Sequence, residues 1–557
     1  MKTSIVSKEE YNQSVMYSFF IAVCIQFMII VFAPLEIYLS NKDYFFFGGK
    51  DLLIFQLPIF AILIVFDSIF FYFIRKTQSS IIFYFFSILW GIGMAMYIQG
   101  NFMKVDYGAM NGQEIQWENY SKECILSIFL LVVMILIALG LYICQGQKWI
   151  RIAGGISICV ALCQMVTILV LAVSQGGINK EPRWISTDID EYSFSENENI
   201  IVFLLDTFDS GVFQKIMSDE PVKYASIFSD FTYYPDTCSN YPFTDLSVPS
   251  MFTGKYYLNN CSYESYLEEA YQESNVFNIL KEQGYRCDYY TTSLLPQSNV
   301  SEMFNNSRKT VSTVSSHKRL MGYMYRLVGY RYLIQPLQRL CWFYPDDIEN
   351  NLCTIAIDGA EAYTLDNRRF YDNLDKVEAD TKEKVFKFIH IEGPHPPFSL
   401  NADFSDRGYR TYNADGIYDE SRASVVIIEG FLNKLREKNI YDNSVIFILS
   451  DHGYINMRQM SLFMIKSRGE HKEFSIDKSY ITYSDLPEML CRAMDSKDTQ
   501  DIVIKDRGER MYWYYDSVEM DNGALAGDIV EYKVVGSGFS EYNIYPTGKV
   551  YTGLIGK

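Results

Sequence analysis

The chain is short of positive charge and poor in histidine, and it lacks several patterns that would classify it at once. Its 49 Lys and Arg against 67 Asp and Glu leave a net charge of −18. That excludes a nucleic-acid binder, which needs a basic face to meet phosphates. None of the eleven cysteines stands in a CxxC-type spacing, so no cysteine zinc motif is present. Five cysteines fall in the apolar first third. The other six are Cys238, Cys261, Cys287, Cys341, Cys353 and Cys491, and Cys341 with Cys353 is one nearby pair for an oxidising compartment. There is no internal repeat and no low-complexity segment, which removes solenoids and disordered arrays. The first apolar run is too long for a signal peptide and lacks a small-residue cleavage site, so it reads as a retained anchor.

What the chain does have is an asymmetric distribution. Five apolar runs fill the first 175 residues: Ser14–Leu39, Leu52–Ile74, Ile81–Gln99, Cys124–Cys144 and Ile150–Val173. Each is long enough to cross a hydrocarbon core of about 30 Å as a helix of ~20 residues. All five histidines lie beyond them. The basic residues packed tightly against the runs are Lys2 and Lys8, Arg75 and Lys76, and Lys148 and Arg151. Lys42, Lys50, Lys104 and Lys122 are spread over longer, partly acidic loops. Positive residues beside membrane spans favour the cytoplasm. The expected topology therefore has the N-terminus inside and everything from about Gly176 outside.

Residues 176–198 are polar and acidic and read as a linker, with Trp184 and Ile185 as candidate contacts with the membrane interface. After them the pattern changes. Asn199–Leu205, Tyr285–Thr291, Val385–His390 and Ser444–Leu449 are short apolar runs suited to strands. Asn275–Gln283 and about Asp419–Lys438 have helical periodicity. Strands alternating with helices predict an α/β domain over 199–505 with a mostly parallel sheet, followed by a strand-rich extension over 506–557. Ligands of such sheets bind beyond the carboxyl ends of the strands. The polar residues there are Asp206, His390 to His395, and Asp451 with His452. Two carboxylates and an imidazole suit Zn²⁺ or Mn²⁺.

Three segments carry a family resemblance. They are NIIVFLLDTFDS (Asn199–Ser210), SNYPFTDLSVPSMFTGKYY (Ser239–Tyr257) and SVIFILSDHGY (Ser444–Tyr454). HIEGPHPPF (His390–Phe398) and ITYSDLPEML (Ile481–Leu490) add looser matches in the same order. Together they resemble the alkaline phosphatase/sulfatase superfamily. The whole chain is similar to the membrane enzymes of lipoteichoic acid synthase and phosphoethanolamine transferase type, with five membrane helices and an extracytoplasmic α/β domain of sulfatase-like fold. The resemblance implies one divalent metal, Mn²⁺ or Zn²⁺, with a second left open, held by Asp206, Thr244, Asp451 and His452. It places Thr244 as the nucleophile, a few residues before Ser247-Val248-Pro249, with Ser247 as its rival.

Sulfatases carry a Cys or Ser, followed by Pro and Arg, that becomes formylglycine. Thr244-Asp245-Leu246-Ser247 lacks that pattern, and the resemblance then implies phosphoryl chemistry by way of a phospho-threonine. His395 is the candidate to meet the phosphate or protonate a leaving oxygen. His471 is a further candidate for substrate contact, His390 reads as structural, and His317 reads as surface. The implied partners are a phospholipid donor and a surface glycan or glycolipid acceptor on a bacterial cell membrane. The first acid departs from the pattern, being Asp206 where the lipid-linked transferases commonly have Glu. A hydrolase that transfers to water and a non-catalytic assembly protein are the competing expectations.

Overall fold

The structure is a computed structural model. It describes the chain from Ser7 to Gly553 except residues 43–44, 46, 78, 108–114, 293, 311–312, 344–352, 355–359, 412, 455–459, 516–517 and 522–523. The chain divides into two compact units.

The first unit comprises Met1–Met110, Glu114–Pro182 and Val311–Ile355. Five of its helices are long and apolar enough to cross a membrane: α1 (Lys8–Ser40), α2 (Gly49–Thr77), α3 (Ile81–Phe102), α4 (Trp117–Gln145) and α5 (Gln147–Ser174). Each contains one of the five apolar runs. Their outer faces stay apolar, with Ile62, Phe66, Leu136 and Leu169 all more than half exposed. A soluble bundle would bury such residues, whereas lipid solvates them. One expectation needs correction here. The segment 199–505 is not one continuous unit, because the helix His317–Tyr332 within it packs with the membrane helices. That helix buries Leu320, Met321, Met324, Val328 and Tyr332 on one stripe. That 3.6-residue periodicity needs an apolar neighbour, and α1 and α2 supply it through Leu35, Leu39 and Leu52.

The second unit is the α/β domain. Its central sheet contains β1 (Asn199–Leu205), β2 (Thr232–Tyr233), β3 (Tyr285–Tyr290), β4 (Lys384–Ile391), β5 (Ser444–Leu449), β6 (Phe463–Lys466) and β7 (Ser475–Ile476), in the order β7-β2-β6-β5-β1-β4-β3. From β5 to β3 the neighbours are parallel, and β6 joins β5 antiparallel. Every residue of β1 is buried. A strand covered on both faces has no polar side, which explains the unbroken NIIVFLL run. Ile200, Val202 and Leu204 face one layer together with Leu246, Met251 and Phe252 from α6 (Thr244–Thr253). Ile201, Phe203 and Leu205 face the other with Ile428, Phe431 and Leu432 from α7 (Ala414–Glu437). Each such side chain contributes about 1.5–3 kcal/mol of burial.

The linker expectation is also corrected. Arg183–Thr310 belongs to this unit, and Trp184 and Ile185 sit in a strand opposite Lys309 and Arg308. Downstream, Arg510–Tyr514, Ile529–Val534 and Ile544–Tyr551 form a three-stranded antiparallel sheet. The side chain of Cys353 lies outside the described residues, and Cys341 is a free thiol.

One buried ion pair underlies the sheet. Lys387 Nζ on β4 lies 3.3 Å from Asp288 Oδ2 on β3, and both side chains are fully buried. Burial pulls the Lys387 ammonium below its ordinary pKa, and the neighbouring Asp288 charge opposes that shift. Removing one partner of a buried pair strands the other. Asp288→Ala is therefore expected to destabilise this unit by about 3–5 kcal/mol, measured as a fall in its denaturation midpoint. A variant as stable as wild type would show that the carbonyls of Asp190 and Glu191, which Lys387 also meets, are sufficient for the ammonium.

Candidate active site

Parallel register brings the site together. Leu204 pairs with Leu449, and Leu205 with Ile391. The chain therefore leaves three adjacent strands at one edge, where Asp206, Asp451-His452 and the 392–397 loop follow. Asp206, Asp451 and His452 are buried, and one ligand atom from each lies within 4.8 Å of the others. Thr244 is the first residue of α6. Its Oγ1 donates to Asp451 Oδ2 at 2.6 Å and lies 3.2 Å from Asp206 Oδ2 and 3.5 Å from His452 Nε2. The N-terminus of a helix carries partial positive charge and unpaired N–H groups, a setting that favours negative charge on that oxygen.

Hydrogen bonds hold these side chains in place. His452 Nδ1 is 2.7 Å from the Gly453 carbonyl oxygen. A carbonyl only accepts, so Nδ1 carries the proton and Nε2 turns its lone pair inward. That nitrogen lies 3.3 Å from Asp451 Oδ2 and 3.8 Å from Asp206 Oδ1. Three acceptors converging in a buried site repel one another unless a cation stands between them, so the donor set fits a divalent ion. The Thr207 N–H donates to Asp451 Oδ1 at 3.0 Å, and the Thr207 hydroxyl to Asp206 Oδ1 at 2.6 Å. Tyr483, from the ITYSDL segment, donates to the Ser450 carbonyl at 2.5 Å and steadies the turn before Asp451.

The electrostatics are strongly negative. Burial opposes ionisation of Asp206, but the neighbouring His395 and His390 outweigh it and hold the carboxyl below its ordinary range. Asp245, beside the threonine, is pushed up to about 6, first by burial and then by the charges of Asp206 and Asp451.

The expected residues meet different fates. Asp206, Thr244, Asp451 and His452 converge as described. His395 is half-buried on its loop, near enough to act electrostatically on Asp206. Ser247 is fully buried and donates to the Asp451 carbonyl at 2.6 Å, so its hydroxyl is engaged with the backbone. His471 does not reach the site. Its ring is exposed and lies 3.8 Å from Asp442, which precedes β5, whereas Asp451 follows that strand. A strand length separates them. His317 lies in the membrane unit, with Nε2 3.3 Å from Asp51.

His390, read from sequence as structural, has its Nε2 3.3 Å from Asp206 Oδ2 and its Nδ1 3.1 Å from Thr291 Oγ1. It orients the carboxylate. A histidine one residue short of the end of a strand beside β1 was the signal for it. Gly393 was also missed. It has φ +58°, and a Cβ there would lie 2.7 Å from the Asp206 nitrogen. Gly393→Ala is expected to push Asp206 off position and weaken metal binding, as measured by titration with Mn²⁺. Unchanged affinity would mean that the loop yields instead.

Fold and site together define a member of the alkaline phosphatase/sulfatase superfamily that carries five candidate membrane helices. Residues 198–480 match the sulfatase family model, and the chain belongs to that family. No curated protein matches the sequence. Among solved structures it is similar to the phosphonate monoester hydrolase SpPMH from Silicibacter pomeroyi, with 12% identity, TM-score 0.37, and coverage of 64% of this chain and 89% of that one. It is similar to the C-terminal periplasmic domain of EcEptC from Escherichia coli, with 12% identity, TM-score 0.35, and coverage of 66% and 93%. It is also similar to the putative sulfatase yidJ from Bacteroides fragilis, with 14% identity, TM-score 0.34, and coverage of 61% and 86%.

Proposed function

We propose that the protein is a membrane-anchored, metal-dependent phosphotransferase. It moves a phospho-head group, phosphoglycerol or phosphoethanolamine, from a phospholipid to a surface glycan or glycolipid. The single observation that carries this reading is the threonine hydroxyl on a helix N-terminus, within 3.5 Å of two carboxylates and an imidazole that fit a metal, in a chain with five candidate membrane spans. Asp206, Asp451 and His452, with Thr244 Oγ1, would hold a divalent ion, Mn²⁺ or Zn²⁺, which would supply a Lewis acid beside the threonine oxygen.

The chain's own groups do the rest. Asp451 Oδ2, 2.6 Å away, is the nearest acceptor for the hydroxyl proton. Thr244 Oγ1 bonds to phosphorus as the bond from phosphorus to the diacylglycerol oxygen breaks, and His395 gives that oxygen its proton. The N–H groups of α6 face the charge that builds on the other phosphoryl oxygens. In the second step an acceptor hydroxyl bonds to phosphorus, loses its proton to His395, and releases Thr244, which recovers a proton from the site. His390 keeps Asp206 oriented throughout. The membrane helices hold the site where lipid phosphates are concentrated. In this reading the N-terminus is cytoplasmic and the catalytic unit lies outside a bacterial cell membrane.

The test uses the full chain in liposomes of phosphatidylglycerol and phosphatidylethanolamine with Mn²⁺ or Zn²⁺. Mass analysis of the Thr244 peptide should show a phosphoglycerol or phosphoethanolamine adduct, which names the donor. Head group released without an adduct would replace transfer by hydrolysis to water. Neither adduct nor release overturns the reading in favour of a non-catalytic role.

A further inference from the structure

The insertion Val311–Ile355 plays no part in the chemistry above, and its composition is at odds with the rest of the chain. In a protein of net charge −18, residues Val311 to Pro345 contain no Asp or Glu, yet hold Lys318, Arg319, Arg326, Arg331 and Arg339. We propose that helix His317–Tyr332 and the turn after it form an interfacial basic platform. This platform binds the phosphates of an anionic phospholipid surface at the end of the membrane bundle where α1, α3 and α5 finish.

Placement follows from contacts within the membrane unit. Arg331 Nη2 lies 2.6 Å from Glu36 Oε1 at the end of α1, and its Nε donates to the Gly100 carbonyl at the end of α3. The Gln335 N–H donates to Ser127 Oγ near the start of α4, and His317 meets Asp51 at the start of α2. The same end holds the exit from α5, since the Gly49 N–H donates to the Ile178 carbonyl at 2.8 Å. The helix also fits closely: a Cβ on Gly100 would lie 2.3 Å from the Tyr332 ring. It therefore lies across the ends of the membrane helices, at the depth of lipid head groups.

The charges then divide by face. Arg331 is turned inward and neutralised by the buried Glu36, which anchors the helix. Arg319 and Arg326 occupy the opposite, exposed stripe, where Arg326 also donates to the Trp342 carbonyl and lies over the Phe343 ring; Lys318 is exposed at the flank of that stripe, and Arg339 is exposed in the turn. Beside Arg339 stand Leu337 and Leu340, 41% and 76% exposed. Apolar side chains left in the open next to an all-basic stripe are unfavourable in water, but suit an interface where the leucines enter the acyl boundary and the cations meet phosphates. A soluble acidic partner would satisfy the cations but offers nothing for leucines that lie at the rim of a membrane bundle, so the bilayer is the occupant.

The full-length protein in nanodiscs of phosphatidylcholine, with or without phosphatidylglycerol, tests this. Hydrogen exchange over 317–343 should slow when phosphatidylglycerol is present, and the effect should fade as salt is raised. Lys318→Gln with Arg339→Gln, both exposed and outside the catalytic machinery, should reduce the preference for retaining phosphatidylglycerol over phosphatidylcholine in native mass spectrometry by about fivefold per residue. If the pair disturbs folding, Arg339→Gln alone carries the same test. Equal exchange in the two lipids, or an undiminished preference in the variants, overturns the proposal.

Discussion

Thr244→Ala is expected to reduce turnover of an activated phosphodiester, such as bis(4-nitrophenyl) phosphate, by about 10⁴- to 10⁶-fold, the scale of losing an attacking hydroxyl. The size of the effect follows from what remains. The variant keeps the acids, the imidazole and the helix N-terminus, but it has no group 2.6 Å from Asp451 Oδ2 that can form a covalent bond to phosphorus. Binding and electrostatic stabilisation survive, so the residual rate should come from water and leave no adduct. Thr244→Ser separates this from a structural role, since it restores the oxygen without the methyl and should return both turnover and the adduct. Ser247→Ala is the control. Its hydroxyl donates to the Asp451 carbonyl, so the variant should shift metal affinity before it shifts the chemistry. A Thr244→Ala variant with wild-type turnover would remove the nucleophile assignment and, with it, the covalent route.

Much of this was legible in the sequence because two signals are local. Membrane spans announce themselves by length and apolar composition, and the buried strand β1 by an unbroken β-branched and aromatic run that ends in an acid. Asp206 and Asp451-His452 could be found because each directly follows such a strand, where parallel sheets place their ligands. Thr244 is different, since nothing in its own surroundings distinguishes it from a turn hydroxyl and only the family register picks it out.

What stayed hidden depends on long-range placement. From sequence His390 reads as structural, because its role depends on which strand lies beside β4. His471 follows His452 closely in the chain, but the antiparallel β6 carries it back to the opposite end of the sheet. The insertion reads as part of the α/β domain because an amphipathic helix shows that it packs against something without showing what. Its lack of acidic residues was the available clue that it faces a different partner from the surface around it.

Loading the site with Mn²⁺ is expected to raise the melting temperature of the wild-type protein, while Asp451→Asn should abolish that rise. A ligand that binds only the folded state at about a hundred times its dissociation constant adds about 2.7 kcal/mol. For a unit of this size that corresponds to roughly 3–5 °C. The sign in chelator is the more discriminating half. Without a cation, Asp206 and Asp451 present negative oxygens, together with the His452 lone pair, to the same small volume. Asparagine removes one of those charges and leaves an oxygen that can still accept from the Thr207 N–H, now 3.0 Å from Asp451 Oδ1. The variant should therefore melt no lower than wild type when the metal is stripped, and well below it when the metal is present. That crossing belongs to a site built around a cation, because a carboxylate held only by protein hydrogen bonds would destabilise on substitution under both conditions. Parallel losses in chelator and in Mn²⁺ would mean that Asp451 serves the turn after β5 and that the metal, if bound, is held elsewhere.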